Sequence, residues 1–190
     1  LYGHISSWNT KYITDMSYLF SEKENFDSLI SSWDVSNVKD MSFMFLEAKS
    51  FNQPLNKWNV SKVKNMNYMF CLTRKFNQNL NDWNVSNVIN MNSMFEHAFS
   101  FNQPLNKWDV SNVTSMKNMF ENAYEFDQLI NDWNVSKVKN MESMFLGTEE
   151  FNQLINKWDV SNVKIMKCMF LNSKKFNQPL DDWDIADVKN

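Results

Sequence analysis

The order of apolar and polar residues along this chain repeats every 25 residues. In residues 51–75 the apolar side chains Val63, Met66, Met69 and Phe70 follow the spacing i, i+3, i+6, i+7, which gathers them on one face of a helix. Ser61 stands two residues before Val63, where its hydroxyl can cap the first helical turn. The pattern therefore predicts a short helix in each unit.

A short strand is predicted ahead of that helix, at the recurring segment Asn-Gln-x-Leu or Asn-Gln-x-Ile. Trp58 and Val60 are expected to turn inward on the way from this strand to the helix. Pro54, Pro104 and Pro179 fit the strand poorly because proline donates no ladder hydrogen bond, but they never occupy neighbouring units.

The tryptophans mark the repeat, since all eight stand 25 residues apart. They are Trp8, Trp33, Trp58, Trp83, Trp108, Trp133, Trp158 and Trp183. A fixed period without insertions is typical of a solenoid. We predict an α/β solenoid: a leucine-rich-repeat-like stack of about seven and a half units, each a short strand plus a short helix. Residues 1–190 form a single repeat domain, with units starting near 1, 26, 51, 76, 101, 126, 151 and 176, and both ends look cut from a longer chain.

Two polar columns agree with stacking in register. The residue before tryptophan alternates in sign, as Lys57, Asp82, Lys107, Asp132, Lys157 and Asp182, so opposite charges would be neighbours along one edge. Asparagines followed by glutamine recur at Asn52, Asn77, Asn102, Asn152 and Asn177. Stacked amides that bond to each other explain that column better than a ligand-binding ladder does.

Composition and charge exclude several functions. A net charge of −3 argues against nucleic acid as a partner. No apolar run approaches the length of a membrane span. Cys71 and Cys168 would lie roughly 18 Å apart in a stack with ~4.8 Å between units, too far for a disulfide. His4 and His97 occupy different positions of the unit and have no partner at the spacing of a triad or metal site. We therefore expect no enzyme, no cofactor and no metal.

The string Phe-Asn-Gln-Pro-Leu-Asn-x-Trp-Asp/Asn-Val-Ser-Asn-Val-x-x-Met-x-x-Met-Phe resembles the repeat of BspA-like leucine-rich-repeat surface proteins, also the lipoprotein repeat of mycoplasma-type bacteria. The resemblance covers the whole chain and departs from the motif at its ends, where Thr10-Lys11 and Ile185-Ala186 replace Val-Ser. It implies a leucine-rich-repeat-like stack on a cell surface, or secreted, used for attachment. Because binding residues vary within the family, none is carried over.

Two functions are open at this point. The first is a non-enzymatic surface module whose partner is a host, neighbouring-cell or matrix protein, or a glycan. The second is a structural stalk or coat component that self-associates through open solenoid ends, since Val188 needs a following unit to cover it.

A candidate partner surface follows from the predicted helix. With Val63, Met66, Met69 and Phe70 inward, the residue at Tyr68 points to the opposite, solvated side. The equivalent residues are Tyr18, Phe43, Tyr68, Ser93, Asn118, Ser143 and Cys168, so the first three units align aromatics. Lys39 and Lys64 precede Phe43 and Tyr68 by four residues, which would place ammonium groups beside two rings. This is a plausible recognition patch, and the alternative is that each lysine only covers its own ring as a local cation–π pair.

Overall fold

The fold is a stack of parallel, turn-built units. A computed structural model describes residues 3–189, so the unit start predicted near residue 1 lies outside the described part. The only helix in this range is a 3-10 turn, Ile5–Ser7. No strand is formed in the same range. Isolated parallel bridges instead join equivalent residues of successive units, at Asp15, Asp40, Asn65, Asn90, Ser115, Asn140 and Ile165.

The predicted strand-plus-helix solenoid, with its leucine-rich-repeat-like architecture, is therefore wrong. Residues 66–72, where the helix was expected, form consecutive turns, with hydrogen bonds from the amides of Met69 and Cys71 to the carbonyls of Met66 and Tyr68. The Asn-Gln-x-Leu segment is not a strand, so Pro54 deprives no ladder of a donor.

Main-chain hydrogen bonds between units explain why a helix does not form. The amides of Met66, Tyr68, Phe70 and Leu72 donate to the carbonyls of Asn90, Asn92, Met94 and Glu96 in the next unit, at 2.8–3.1 Å. A helix would consume those N–H groups internally. The turns leave every second one free to point along the stack, which satisfies the backbone polar groups by joining the units.

Asparagine or aspartate side chains start five of the seven runs of turns in residues 3–189, at Asp15, Asp40, Asn65, Asn90 and Asn140. The amide of Asn67 donates to Oδ1 of Asn65 at 3.2 Å, and Ser42 does the same to Asp40 at 2.8 Å. Such local bonds compete with helix formation. Two residues per unit then take a positive φ, as at Tyr68 (54°) and Leu72 (60°), which no continuing right-handed helix allows.

The predicted cap of that helix is also corrected. Ser61 does not cap a helical turn with its hydroxyl. Its backbone N–H donates instead to Oδ1 of Asn59 at 3.2 Å, so the capping side chain belongs to the residue after tryptophan. Asp34, Asn84, Asp109, Asn134 and Asp159 act in the same way in their own units.

The core runs the length of the stack and contains the residues predicted to face inward. Trp58, Val60, Val63, Met66, Met69 and Phe70 are all buried. Two columns of phenylalanine interlock: Phe70 lies 4.2 Å from Phe76, at the start of the next unit, and 5.7 Å from its own equivalent Phe95, measured between ring centroids. Burial of rings on both sides couples every unit to its neighbours.

A small residue follows the second phenylalanine of the unit by three positions. Ala48, Thr73, Ala98, Ala123 and Thr148 are fully buried, and the Thr148 hydroxyl donates to the carbonyl of Phe120 at 2.8 Å. Both cysteines are free, as the spacing predicted.

Both polar columns behave as the stacking argument predicted. Lys107 pairs with Asp82 and Lys157 with Asp132, each at 2.8 Å. Asn52 Oδ1 accepts from the backbone N–H of Asn77 and from Nε2 of Gln78, both at 3.0 Å. The amide column thus bonds to itself and to the backbone, which is a structural role.

Candidate functional site

The candidate site is the aromatic column, defined as Tyr18, Phe43 and Tyr68. Its rings stack face to face, with centroids 4.5 Å apart between Tyr18 and Phe43 and 4.8 Å apart between Phe43 and Tyr68, and interplanar angles of 5° and 8°. Tyr18 is 57% exposed, whereas the other two are half-buried. The three aromatics that the sequence aligned therefore meet at the surface as one continuous stack.

Backbone geometry, not a helix face, presents these rings. All three residues have a positive φ, between 54° and 59°. Their amides donate to the carbonyls of Ser42, Asn67 and Asn92 in the following unit, at 2.8–3.0 Å. Equivalent main-chain hydrogen bonds thus fix the position of each ring relative to the rings in the neighbouring units.

The lysine part of the predicted patch is not assembled as expected. Lys39 and Lys64 are exposed, and no helix turn sets them beside the rings four residues later. Within residues 3–189, the cations over rings are instead Lys11 above Tyr12, at 5.8 Å, and Arg74 above Phe99, at 5.3 Å. Neither Lys39 nor Lys64 is among the cations that lie over a ring in the described residues, so the local cation–π pairs proposed as the alternative do not form there.

The column ends where small and polar residues take over. Ser93, the equivalent of Tyr68 in the next unit, is 1% exposed, and its hydroxyl has no hydrogen-bond partner in the described chain. Beyond it Lys117 forms a 2.9 Å ion pair with Glu142. The hydrogen bond from Lys117 to Glu142 raises the pKa of Lys117, with smaller contributions from the Glu142, Tyr68 and Glu121 charges.

Sequence reasoning missed a second aromatic pair, Phe99 and Tyr124. Their rings stack at 4.7 Å and 10°, and Arg74 lies over the outer face of Phe99. The position reads Glu24, Lys49, Arg74, Phe99, Tyr124, Glu149 and Lys174 down the stack. The sequence could have revealed this pair, because aligning equivalent positions of successive units places aromatic beside aromatic and acid beside base. In the structure, Glu24 pairs with Lys49 at 2.5 Å and Glu149 with Lys174 at 2.7 Å.

A third cluster joins two units at Glu96, His97 and Glu121. One ligand-type atom of each lies within 4.8 Å of the others, and all three residues are partly buried. His97 also meets Phe99 edge-on, with 5.9 Å between centroids. A search for spacings along one unit does not see Glu121, which the stack brings beside His97 from 24 residues away.

Taken together, these features define a class of protein: a repeat stack that displays columns of side chains on its surface. Two overlapping matches, residues 1–108 and 90–190, link the chain to one family model. The chain belongs to the family described as "Mycoplasma protein of unknown function, DUF285". Searches of curated proteins and of solved structures return no match. None of the helices in the described residues has the length and apolar character that crossing a membrane requires.

Proposed function

We propose that this chain is a non-enzymatic attachment module of the BspA-like type, displayed on a cell surface, whose aromatic column binds a protein of another cell or of its surrounding matrix. The observation that carries the proposal is the stacked, outward-facing column of Tyr18, Phe43 and Tyr68. Exposed contiguous apolar surface marks interaction sites, and tyrosine is enriched among residues that dominate binding energy.

The geometry of the stack favours a protein partner over a glycan. A sugar ring packs flat against a free aromatic face, but Phe43 is covered on both faces by Tyr18 and Tyr68. Outside the stack there remain a ridge of ring edges, two phenol hydroxyls and, at one end, the face of Tyr18 that Phe43 does not cover. Such a ridge suits an apolar groove of a partner protein whose rim offers hydrogen-bond groups.

The column is also ordered before it binds. Its rings are stacked, and the amides of Tyr18, Phe43 and Tyr68 are bonded to the next unit. Immobilising a free side chain on binding costs about 0.5–1.5 kcal/mol, and here folding has already met that cost.

The test measures attachment of the fluorescently labelled chain to cultured mammalian epithelial cells by flow cytometry. The variant Tyr18→Ser/Phe43→Ser/Tyr68→Ser uses serine because Ser93 and Ser143 already adopt the same positive φ at this position. We expect attachment to fall by roughly tenfold or more while the thermal midpoint changes little. Protease treatment of the cells should remove binding and glycosidase treatment should not.

A matched control changes the second aromatic pair. Phe99→Lys/Tyr124→Glu inserts residues found at the same position in other units, Lys49 and Glu149, and should attach as the unmodified chain does. Attachment of the triple serine variant at full strength would contradict the proposal, as would absence of attachment by the unmodified chain.

A second candidate, structural assembly, uses a different surface. Met166, Met169, Phe170, Leu180, Trp183 and Ile185 line an apolar cavity of about 300 Å³. Ile185 is 56% exposed there. A following unit or another copy would cover this surface. Sedimentation velocity of the chain and of Ile185→Lys tests assembly: loss of a self-associated species in the variant supports it, and a monomer in both rejects it.

A further inference from the structure

The carboxylates of Glu96 and Glu121 meet at equivalent positions of adjacent units, and His97 follows Glu96 directly. The amide of His97 donates to the carbonyl of Glu121 at 2.7 Å, so the main chain fixes the two residues side by side. One ligand atom from each of the three side chains lies within 4.8 Å of the other two. Ligands around a cation at metal–ligand distances of about 2.0–2.2 Å are roughly 3–3.5 Å apart. Small side-chain rotations would therefore bring all three onto one ion.

The Glu96 carboxylate lacks a partner that its burial demands. The Glu96 side chain is 18% exposed, and its Oε2 is buried without a hydrogen-bond partner in the described residues. Its other oxygen lies 3.9 Å from Nε2 of His97, which is beyond hydrogen-bond distance. A buried carboxylate oxygen without a donor is costly, so the site has an unmet requirement for positive charge.

Neighbouring charges leave that requirement in place. The charges that act on Glu121 are the carboxylates of Glu96 and Glu142 and the ammonium group of Lys117. Lys117 itself is paired with Glu142 at 2.9 Å. The buried thiol of Cys71, whose pKa burial raises, feels the same negative charges from Glu96, Glu47 and Glu121. The region therefore carries more negative than positive charge.

The fold does not need these carboxylates. The position of Glu96 and Glu121 is filled in the other described units by Ser21, Leu46, Cys71, Leu146 and Leu171. Among these units, only two adjacent ones have an acid at this position, and His97 directly follows the first of the two acids in the sequence. Ser93, three residues before Glu96, adds a buried hydroxyl without a hydrogen-bond partner. Two like charges placed together repel one another, and a bound cation would offset that repulsion.

We propose that Glu96, His97 and Glu121 bind one divalent transition-metal cation of the zinc class. One imidazole and two carboxylates form a ligand set that suits zinc, whereas magnesium and calcium prefer oxygen ligands alone. The His97 side chain is 31% exposed, which leaves a coordination position open to water or to a carboxylate of a partner. The ion neutralises the two carboxylates and joins the two adjacent units.

The test is isothermal titration of the EDTA-treated chain with zinc chloride, together with its thermal midpoint with and without zinc. We expect one zinc per chain and a higher midpoint with zinc, but no response to magnesium at the same concentration. Two variants borrow residues from other units: His97→Asn, as at Asn122 and Asn172, where asparagine also has a positive φ, and Glu96→Leu/Glu121→Leu, as at Leu46 and Leu146. Losing a residue that only supports a metal ligand weakens binding by roughly 10–100-fold. Both variants remove a ligand itself, so each should weaken zinc binding by more than that.

The double leucine variant also separates loss of binding from loss of folding. In EDTA its thermal midpoint should equal or exceed that of the unmodified chain, because an unpaired buried pair of acids has been removed. Glu149→Gln, at a half-buried residue that pairs with Lys174, and His4→Asn, at an exposed residue, lie outside the cluster and should bind zinc unchanged. Absence of zinc binding to the unmodified chain would overturn the proposal, and so would equal affinity in the double leucine variant.

Discussion

The indole N–H of Trp108 donates a 2.9 Å hydrogen bond to the main-chain carbonyl of Leu80, 28 residues earlier in the chain. The same bond recurs from Trp58, Trp83, Trp133 and Trp158, so each tryptophan fastens its unit to the preceding one. The invariant tryptophan spacing therefore reflects two requirements at once: a large buried ring and a donor placed to satisfy a carbonyl of the unit before it.

The first prediction concerns the position of a tryptophan in the stack. Trp108 is 3% exposed between two neighbouring units, whereas Trp8 is 44% exposed. Trp108→Ala should lower the free energy of unfolding by about 3–5 kcal/mol, and Trp8→Ala by clearly less. Trp108→Phe keeps a ring but leaves the Leu80 carbonyl without its donor, and should cost an intermediate amount. Denaturant titrations measure all three, and equal losses for Trp108→Ala and Trp8→Ala would contradict the stacking account.

The second prediction concerns residues with positive φ. Leu72 has a φ of 60°, whereas Leu46, also half-buried, lies outside that region. Glycine at position 72 relieves a backbone strain of about 1–2 kcal/mol, which Leu46→Gly cannot do. Leu72→Gly should therefore be less destabilising than Leu46→Gly by about that difference in free energy of unfolding. Identical denaturation midpoints for the two variants would show that Leu72 does not have a left-handed conformation in solution.

Much of the packing could be predicted from sequence, but the local backbone could not. The 25-residue spacing correctly aligned the columns, and the spacing of Val63, Met66, Met69 and Phe70 correctly identified buried residues. That spacing does not distinguish a helix from a run of turns, because both can bring the same side chains inward. The discriminating feature was polar: the Asn65 side chain accepts a local hydrogen bond from the backbone N–H of Asn67, and such bonds compete with a helix.

The third prediction tests the alternating charges. Lys107 pairs with Asp82 at 2.8 Å, and both side chains are more than 60% exposed. Lys107→Asp would place three acids in a row with Asp82 and Asp132, and should destabilise the fold by up to ~1 kcal/mol. Because salt screens exposed charges, the loss should shrink as sodium chloride rises from about 0.05 to 1 M. A loss that is independent of salt would mean that repulsion between these side chains is not its cause.

The fourth prediction concerns acid stability. The hydroxyl and then the backbone N–H of Ser111 lower the pKa of Asp109 by hydrogen bonding, and Ser161 does the same for Asp159. An aspartate whose pKa is lower in the folded than in the unfolded state stabilises the fold at pH values above its unfolded pKa of about 3.9. This stabilisation is lost as the pH falls through the lower pKa of the folded state. Asp109→Asn/Asp159→Asn should therefore lose less thermal stability between pH 7 and pH 3 than the unmodified chain.

The reverse change supplies the control for that experiment. Asn84 accepts the same two bonds from Ser86, at 3.1 and 2.7 Å, and Asn84→Asp introduces a carboxylate at this position. It should enlarge the loss of stability in acid. The same acid sensitivity in all three proteins would show that these carboxylates do not contribute to it.

The candidate site was predictable only in part. Tyr18, Phe43 and Tyr68 could be aligned from the period alone, and the structure stacks them. The place predicted for Lys39 and Lys64 rested on the i, i+4 geometry of a helix that does not form. Residues that meet across units, such as Glu121 beside His97, become visible only when equivalent positions are compared along the stack.

The most direct test of the account is whether the amide of Phe70 bonds to the next unit. Its N–H lies 2.9 Å from the carbonyl oxygen of Met94, and every column on the surface depends on this register. Scalar couplings through hydrogen bonds, measured by NMR on isotope-labelled chain, identify the acceptor of each amide. We predict a coupling between the Phe70 amide nitrogen and the carbonyl carbon of Met94. A coupling to the carbonyl carbon of Met66 instead, the acceptor in an α-helix, would contradict the account.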